Sequence, residues 1–232
     1  SERLTDMSET ALTIVNDWPL VDAATLKALE NVTSSQLSDA MGGSGALDRT
    51  ITRLGGGGAR IIGSALTVWT APGDNLAPYA ALAVARPGDV LVLACDRHDG
   101  CALLGDTIVG LMRNAGAVGV VTDALVRDLD GLDAIGIPVY ARGISPRAPA
   151  KKGPGEIGIP VTIGGVLVRA GDLVMADRDG VVVLPREGLG AIADKLAAVL
   201  EKEARADARV RDGATVPADF QAMLDAAGVR WS

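Results

Sequence analysis

The chain of 232 residues predicts an α/β fold on three observations. Short apolar runs and helical stripes alternate between residues 59 and 143, which is the pattern of a βαβ arrangement around a mainly buried sheet. From 159 to 185, "IPVTIGGVLVRAGDLVMADRDGVVVLP" reads as four short β runs broken by "GG", "AGD" and "DRDG", a meander in which "RDG" is a hairpin signal. One long helical stretch, then a shorter one, closes the chain.

The elements follow in order. "DAATLKALENV" (22–32) spaces Leu26 and Leu29 as a helix does, with Asp22 as its cap. "TSSQLSDAMGG" (33–43) reads as a second helix stopped by glycines. "LGGGGARIIG" (54–63) lacks dinucleotide-binding spacing and reads as a loop turning into a strand. "ARIIGSALTVWTA" (59–71) alternates and is rich in β-formers. "NLAPYAALAVA" (75–85) is helical, with Pro78 tolerated in the first turn. "PGDVLVLACD" (87–96) is a turn and a buried strand. In "CALLGDTIVGLMRNAG" (101–116), Ile108, Val109, Leu111 and Met112 form a helical stripe that Gly116 ends. "AVGVVTD" (117–123) and "IPVYARG" (137–143) are strands. "EGLGAIADKLAAVLEKEARADARVRDG" (187–213) is one helix, apolar at Ile192, Leu196 and Val199 and then highly charged; "PADFQAMLDAAGV" (217–229) is the last. No repeat, linker or break in composition divides the chain. The expectation is a single domain over 1–232, its core at about 30–185 and C-terminal helices at 187–229.

Composition narrows the function. Hydrophobic residues make up 48% and aromatics 3%, so Val, Ala, Leu and Gly must fill the core. The net charge of −7 argues against non-specific nucleic-acid binding, which needs a basic face. An acidic surface remains compatible with a basic protein partner. Two cysteines, Cys95 and Cys101, make neither a disulfide framework nor a four-thiolate zinc site; both read as small core residues. No run of 18 apolar residues predicts a membrane span, and the N-terminal stretch lacks signal-peptide character, so a cytoplasmic protein is expected. The single histidine, His98, rules out a zinc site built on several histidines within one chain. No G-x-S-x-G elbow occurs, and "GGSGA" (42–46) misses it by one position; no phosphate-binding P-loop occurs either.

Chemistry concentrates in "GDTIVGLMRNAGAVGVVTDALVRD" (105–128). Gly105 precedes a helix whose free amides and dipole favour an anion. Arg127 and Asp128 follow the next strand. In a βαβ unit the helix start and that strand's end share one edge of the sheet, where ligands bind, so "GD" and "RD" can meet. Asp106 and Asp128 offer oxygen ligands to a hard divalent cation, Mg²⁺ or Mn²⁺, which keeps most of its waters. Arg127 offers a forked donor to a carboxylate or enolate. Together they suit a small 2-oxo acid. The same residues have ordinary readings, Asp106 as a helix cap and Arg127–Asp128 as a solvated turn worth under about 1 kcal/mol, and the pattern alone leaves both open.

This run resembles the signature of the RraA-like family, which contains 4-hydroxy-4-methyl-2-oxoglutarate/4-carboxy-4-hydroxy-2-oxoadipate aldolases and regulators of ribonuclease E activity. "TSSQLSDAMG", "APGDNLAPYAALAVARPGDVLVLACD", "IPVYARG" and "GVLVRAGDLVMADRDGVVVLP" resemble further family segments, so the likeness spans roughly residues 30–213. It implies a layered β/β/α fold of swivelling-domain type with a C-terminal helical extension. It implies a trimer or dimer of trimers with sites between subunits. It also implies that Asp128 holds the metal directly and Asp106 through a water, that Arg127 binds substrate and stabilises the enolate, and that the amides of Gly105, Asp106 and Thr107 take the pyruvyl carboxylate. A carboxylate from a neighbouring chain's C-terminal helix approaches such sites; Glu201 and Glu203 are the candidates, and a solvated helix face is their plain reading.

The implied chemistry is metal-assisted carbon–carbon cleavage, with a metal-bound or Asp106-held water as general base and pyruvate enolate as product. Oxaloacetate decarboxylation leaves the same enolate. Two other readings stand beside it: a protein-binding regulator of ribonuclease E, and another metal-dependent lyase or hydrolase on the same residues. Retention of both "GD" and "RD" leans toward an enzyme. "CDRHDG" (95–100) departs from the glycine-rich family loop, and His98 there is either a ligand for a substrate carboxylate or a surface residue. Asp172 and Asp177 flank hairpin turns, Asp39 packs near the N-terminal helices, and Trp18, Trp69 and Trp231 read as packing residues.

Overall fold

The computed structural model describes residues 12–58 and 60–229. The expectations for the N-terminal stretch before residue 12, for position 59 and for Trp231 lie outside them. The chain runs β1 (Leu12–Ile14), α1 (Ala23–Ala28), α2 (Ser34–Ala40), β2 (Thr52–Gly55), β3 (Ile61–Thr70), α3 (Leu76–Ala81), β4 (Asp89–Ala94), β5 (Ala102–Leu104), α4 (Asp106–Asn114), β6 (Gly119–Thr122), β7 (Leu125–Val126), α5 (Leu129–Ile135), β8 (Val139–Ala141) and β9 (Gly143–Ile144). It continues with β10 (Gly155–Ile157), β11 (Val161–Ile163), β12 (Val166–Val168), β13 (Leu173–Ala176), β14 (Val181–Leu184), a 3₁₀ turn, α6 (Leu189–Arg211) and α7 (Ala218–Ala226).

A parallel core, β3-β4-β6-β8, forms the centre of the main sheet. β2 closes one edge antiparallel to β8, and the far edge of β3 is shared by β13 and β10. Both faces of this sheet are buried, which is why β4 reads as an unbroken apolar run after Asp89. The alternation still shows in the packing. Val90, Val92 and Ala94 of β4 join a cluster with β11, β12, β13 and β14, while Leu91 and Leu93 face the opposite cluster with α3, α4 and β5. A β layer therefore lies on one face and helices with a small second sheet on the other, as the α/β expectation and its layered form require.

Several elements were hidden in the sequence. β5, β7 and β9 form a separate three-stranded parallel sheet. They hold three, two and two residues, too few to show a period. β2 sits where only a loop was expected, and α5 fell between expected strands. The four β runs after 159 are present, but not as one meander: β11 and β12 pair with each other, and β13 joins β3 and β14. Leu111, expected in the buried stripe of α4, is 42% exposed; Ile108, Val109 and Met112 carry that stripe. Gly116 does end the helix, at φ 93°.

Three helices cover the β13–β14 end. Asp22 caps α1 by accepting from the Thr25 amide at 2.9 Å. Thr33 and Gln36 form a capping box at the start of α2. Ile192 and Leu196 of α6 are buried among Leu37, Leu173 and Leu184, whereas α7 buries no residue. Asp172 and Asp177 do flank turns, and each ties its turn to another segment. The buried Asp172 carboxylate accepts from the amides of Arg169 and Arg186, and burial raises its pKa. Trp18 is buried beneath the Arg86 guanidinium, 4.6 Å from its ring centre. Cys95 and Cys101 are free and buried, and burial raises both thiols. Among the described residues no helix is long and apolar enough to cross a membrane.

Asp177 fastens α2 to the sheet. Its carboxylate accepts from the Ser34 amide at 2.7 Å and the Ser34 hydroxyl at 2.6 Å. Burial works to raise its pKa; the Ser34 and Asp179 hydrogen bonds outweigh that and set it below the ordinary 3.8. A carboxyl lowered on folding stabilises the fold above its unfolded value, and the contribution is lost as pH falls through the folded one. Asp177→Ala should cost about 1–2 kcal/mol near neutral pH. In urea titrations the gap between variant and parent should close as the pH falls below 3.8.

Candidate active site

Two strands of the small sheet build the site. β5 and β7 run parallel, with Ala102 opposite Leu125 and Leu104 opposite Val126. The Arg127 amide then donates to the Leu104 carbonyl at 3.0 Å. Each strand ends there and turns into a helix: β5 through Gly105 into α4, β7 through Arg127 and Asp128 into α5. So "GD" and "RD" do meet, by a route the sequence did not disclose. They stand side by side at the ends of two paired strands of the small sheet, and the intervening β6 belongs to the main one.

Gly105 has an extended backbone, φ −141°, that any residue adopts. Its glycine character serves space instead. A Cβ there would fall 2.5 Å from Asp128 Oδ2 and 3.2 Å from Arg127 Cγ. Asp128 takes a left-handed conformation, φ 61° and ψ 47°, and makes no capping bond to α5. Non-glycine residues held in this region are uncommon and strained, with Asp and Asn among those that tolerate it. Arg127 Nε lies 3.2 Å from Asp128 Oδ2, the two side chains being 38% and 42% exposed. Among the described residues the guanidinium has no other hydrogen-bond or ion-pair partner. Asp106 does not cap α4: Gly105 holds that position, no side chain caps the first turn, and among the described residues Asp106 Oδ1 accepts only from the Thr107 hydroxyl at 3.3 Å.

Gly105, Asp106, Thr107, Arg127 and Asp128 line one concavity, together with Asn75, Tyr79 and Lys151. Its volume is about 70 Å³, small beside the roughly 300–1,000 Å³ of ligand pockets. Sequence reasoning missed the last three residues. Lys151 is half of a lysine pair in "RAPAKKG", a basic spot in an acidic chain that could have drawn notice; its ammonium stands 5.2 Å from the Tyr79 ring centre. Asn75 lies in the "GDN" motif and donates to the Leu103 carbonyl at 3.0 Å, but nothing local marks it as a lining residue.

The other candidates lie off this lining. His98 packs against Gly73 and Gly100, its Nε2 3.3 Å and 2.8 Å from where a Cβ on each would sit. Glu203 accepts from Gln36 Nε2 at 2.6 Å, and Glu201 pairs with Arg205 one helical turn on. Asp39 borders a groove with Glu203 between α2 and α6.

Among the described residues no group of three or more His, Cys, Asp or Glu side chains converges as a metal cage. The donors that are present still fit a hard cation that keeps its waters: oxygen only, two carboxylates, neither used as a cap.

Two carboxylates and a forked cation thus gather at the starts of two helices on an α/β scaffold. The chain belongs to the RraA-like family, whose Aldolase/RraA model matches residues 34–183. A Halalkalibacterium halodurans protein named "Putative 4-hydroxy-4-methyl-2-oxoglutarate aldolase" is 37% identical over 75% of this chain and 81% of its own length. Among solved structures, Streptomyces coelicolor RraAS2, described as an unusual member of the RNase ES inhibitor RraA family, superposes with a TM-score of 0.72 at 29% identity, covering 83% of this chain and 99% of that one. The RNA-processing inhibitor RraA from Thermus gives a TM-score of 0.62 at 31% identity, covering 67% and 93%.

Asp128 contributes little to the fold beyond an exposed ion pair, and asparagine tolerates the same backbone. Asp128→Asn should therefore leave unfolding free energy within about 0.5 kcal/mol of the parent. If Asp128 holds a divalent cation, a calorimetric Mn²⁺ titration should show binding in the parent and none in this variant.

Proposed function

We propose that this chain is a divalent-metal-dependent aldolase that releases pyruvate from 4-hydroxy-2-oxo acids such as 4-hydroxy-4-methyl-2-oxoglutarate, and that the same site decarboxylates oxaloacetate. The observation that carries this reading is the meeting of Gly105, Asp106, Arg127 and Asp128 in one concavity, in a chain whose relative bears an aldolase name.

Asp128 would hold Mg²⁺ or Mn²⁺ directly, and Asp106 would do so through a water. The bound cation supplies Lewis-acid polarisation of the 2-oxo group. The uncapped first-turn amides of Gly105, Asp106 and Thr107 receive the pyruvyl carboxylate, favoured by the helix dipole. Asp106, through a water, accepts the proton of the 4-hydroxyl as the carbon–carbon bond breaks. Arg127 then faces the negative charge that develops on the pyruvyl oxygen and stabilises it. In oxaloacetate the bond broken leads to carbon dioxide and the same electron pair arrives at the same place, so both activities use one arrangement of side chains.

The single-chain concavity is too small for a six-carbon substrate, which supports a site completed by a second copy in a trimer or dimer of trimers. Glu203 or Glu201 of that copy is the proposed acidic contributor.

A second reading, a protein-binding regulator of ribonuclease E, is favoured by the likeness to Streptomyces coelicolor RraAS2, of the RNase ES inhibitor family, and to the RNA-processing inhibitor RraA from Thermus. One experiment separates the two. Purified protein is assayed for pyruvate from both substrates with Mg²⁺ or Mn²⁺, with and without EDTA. Chelation should abolish release, and Arg127→Ala or Asp128→Ala should lower kcat by about 10²–10³-fold, the scale of losing one charge-stabilising group. Activity that persists in both variants rejects the assignment. Inhibition of ribonuclease E without pyruvate release favours the regulator.

A further inference from the structure

Gly131 lies inside α5, where its backbone is ordinary helix. Glycine is the poorest helix former after proline, so a reason is needed for it within a helix of seven residues. The backbone supplies none; the neighbour does. A Cβ on Gly131 would fall 2.6 Å from Asp106 Oδ2, 2.7 Å from Asp106 Cβ and 3.0 Å from Asp106 Cγ. Rotating the aspartate moves its oxygens but not its Cβ, so relief requires α4 and α5 to separate.

The arrangement is reciprocal. Gly105, at the start of α4, makes room for Asp128 at the start of α5, and Gly131 of α5 makes room for Asp106 of α4. Each helix gives up a side chain to seat the other's carboxylate. Gly110, also in α4 and also facing α5, is different: its added Cβ would meet Ile135 Cδ1 at 3.5 Å, ordinary contact with a flexible side chain. Close approach of the two helices in general therefore does not explain Gly131.

We infer that Gly131 is a positioning residue that sets the separation of the Asp106 and Asp128 carboxylates, and through it the affinity of the site for a divalent cation. The cation part rests on the proposed function; the seating of Asp106 does not.

The test uses Gly131→Ala, with Gly110→Ala as its control, in two measurements. In thermal unfolding, Gly131→Ala should lower Tm in the parent yet raise it in an Asp106→Gly background, where no Cβ or carboxyl remains to collide and only the gain in helix propensity is left. An equal shift in both backgrounds overturns the inference. In calorimetric titration with Mn²⁺, Gly131→Ala should weaken binding about tenfold or more, as loss of outer-shell support does, and Gly110→Ala by less than about twofold. Parental affinity in Gly131→Ala, or equal weakening in both variants, overturns it as well. A parent that binds no Mn²⁺ defeats the proposed function, while the Tm pair still judges whether Gly131 seats Asp106.

Discussion

Parallel pairing of β5 with β7, closed by the Arg127 amide on the Leu104 carbonyl, is the constraint on which the rest of the site depends. It joins residues that stand apart in the sequence and ends both strands at the same level. Because backbone groups do the joining, the side chains of Asp106, Arg127 and Asp128 are left almost unused by the fold. Among the described residues their side-chain polar partners are a neighbouring hydroxyl and each other. Polar groups so lightly engaged at the rim of a core are available to a ligand.

Strands of two and three residues do not hold together alone. Here they are held from beneath. Leu103, Leu104 and Val126 are buried in the cluster that includes Leu91 and Leu93 of the main sheet and Met112 of α4. The site thus rests on the largest apolar cluster among the described residues, and that packing holds its short strands in place. α6, which lies beyond the matched family region, covers a separate cluster with α2, β13 and β14.

Legibility in the sequence followed element length and periodicity. β3 and β4, long and rich in β-formers, and α2, with the glycines that stop it, could be read directly. β5 and β7 could not, because three and two residues carry no period, and with them went the true reason that "GD" meets "RD". The acidic and basic residues of the site were legible because their types and spacing survive translation into a string. Lys151 and Asn75 were not, since they reach the concavity through loops whose path only tertiary structure defines. His98 illustrates the converse: a chemically rich residue beside the site helix in sequence that packs onto two glycines in space.

The left-handed backbone at residue 128 has one more consequence. Glycine, asparagine and aspartate are the side chains most at ease with that twist. Of these three only aspartate is an anion. The peptide's geometry thus narrows the alphabet at this codon before chemistry has any say, and the letter written here is the one of the three that carries charge.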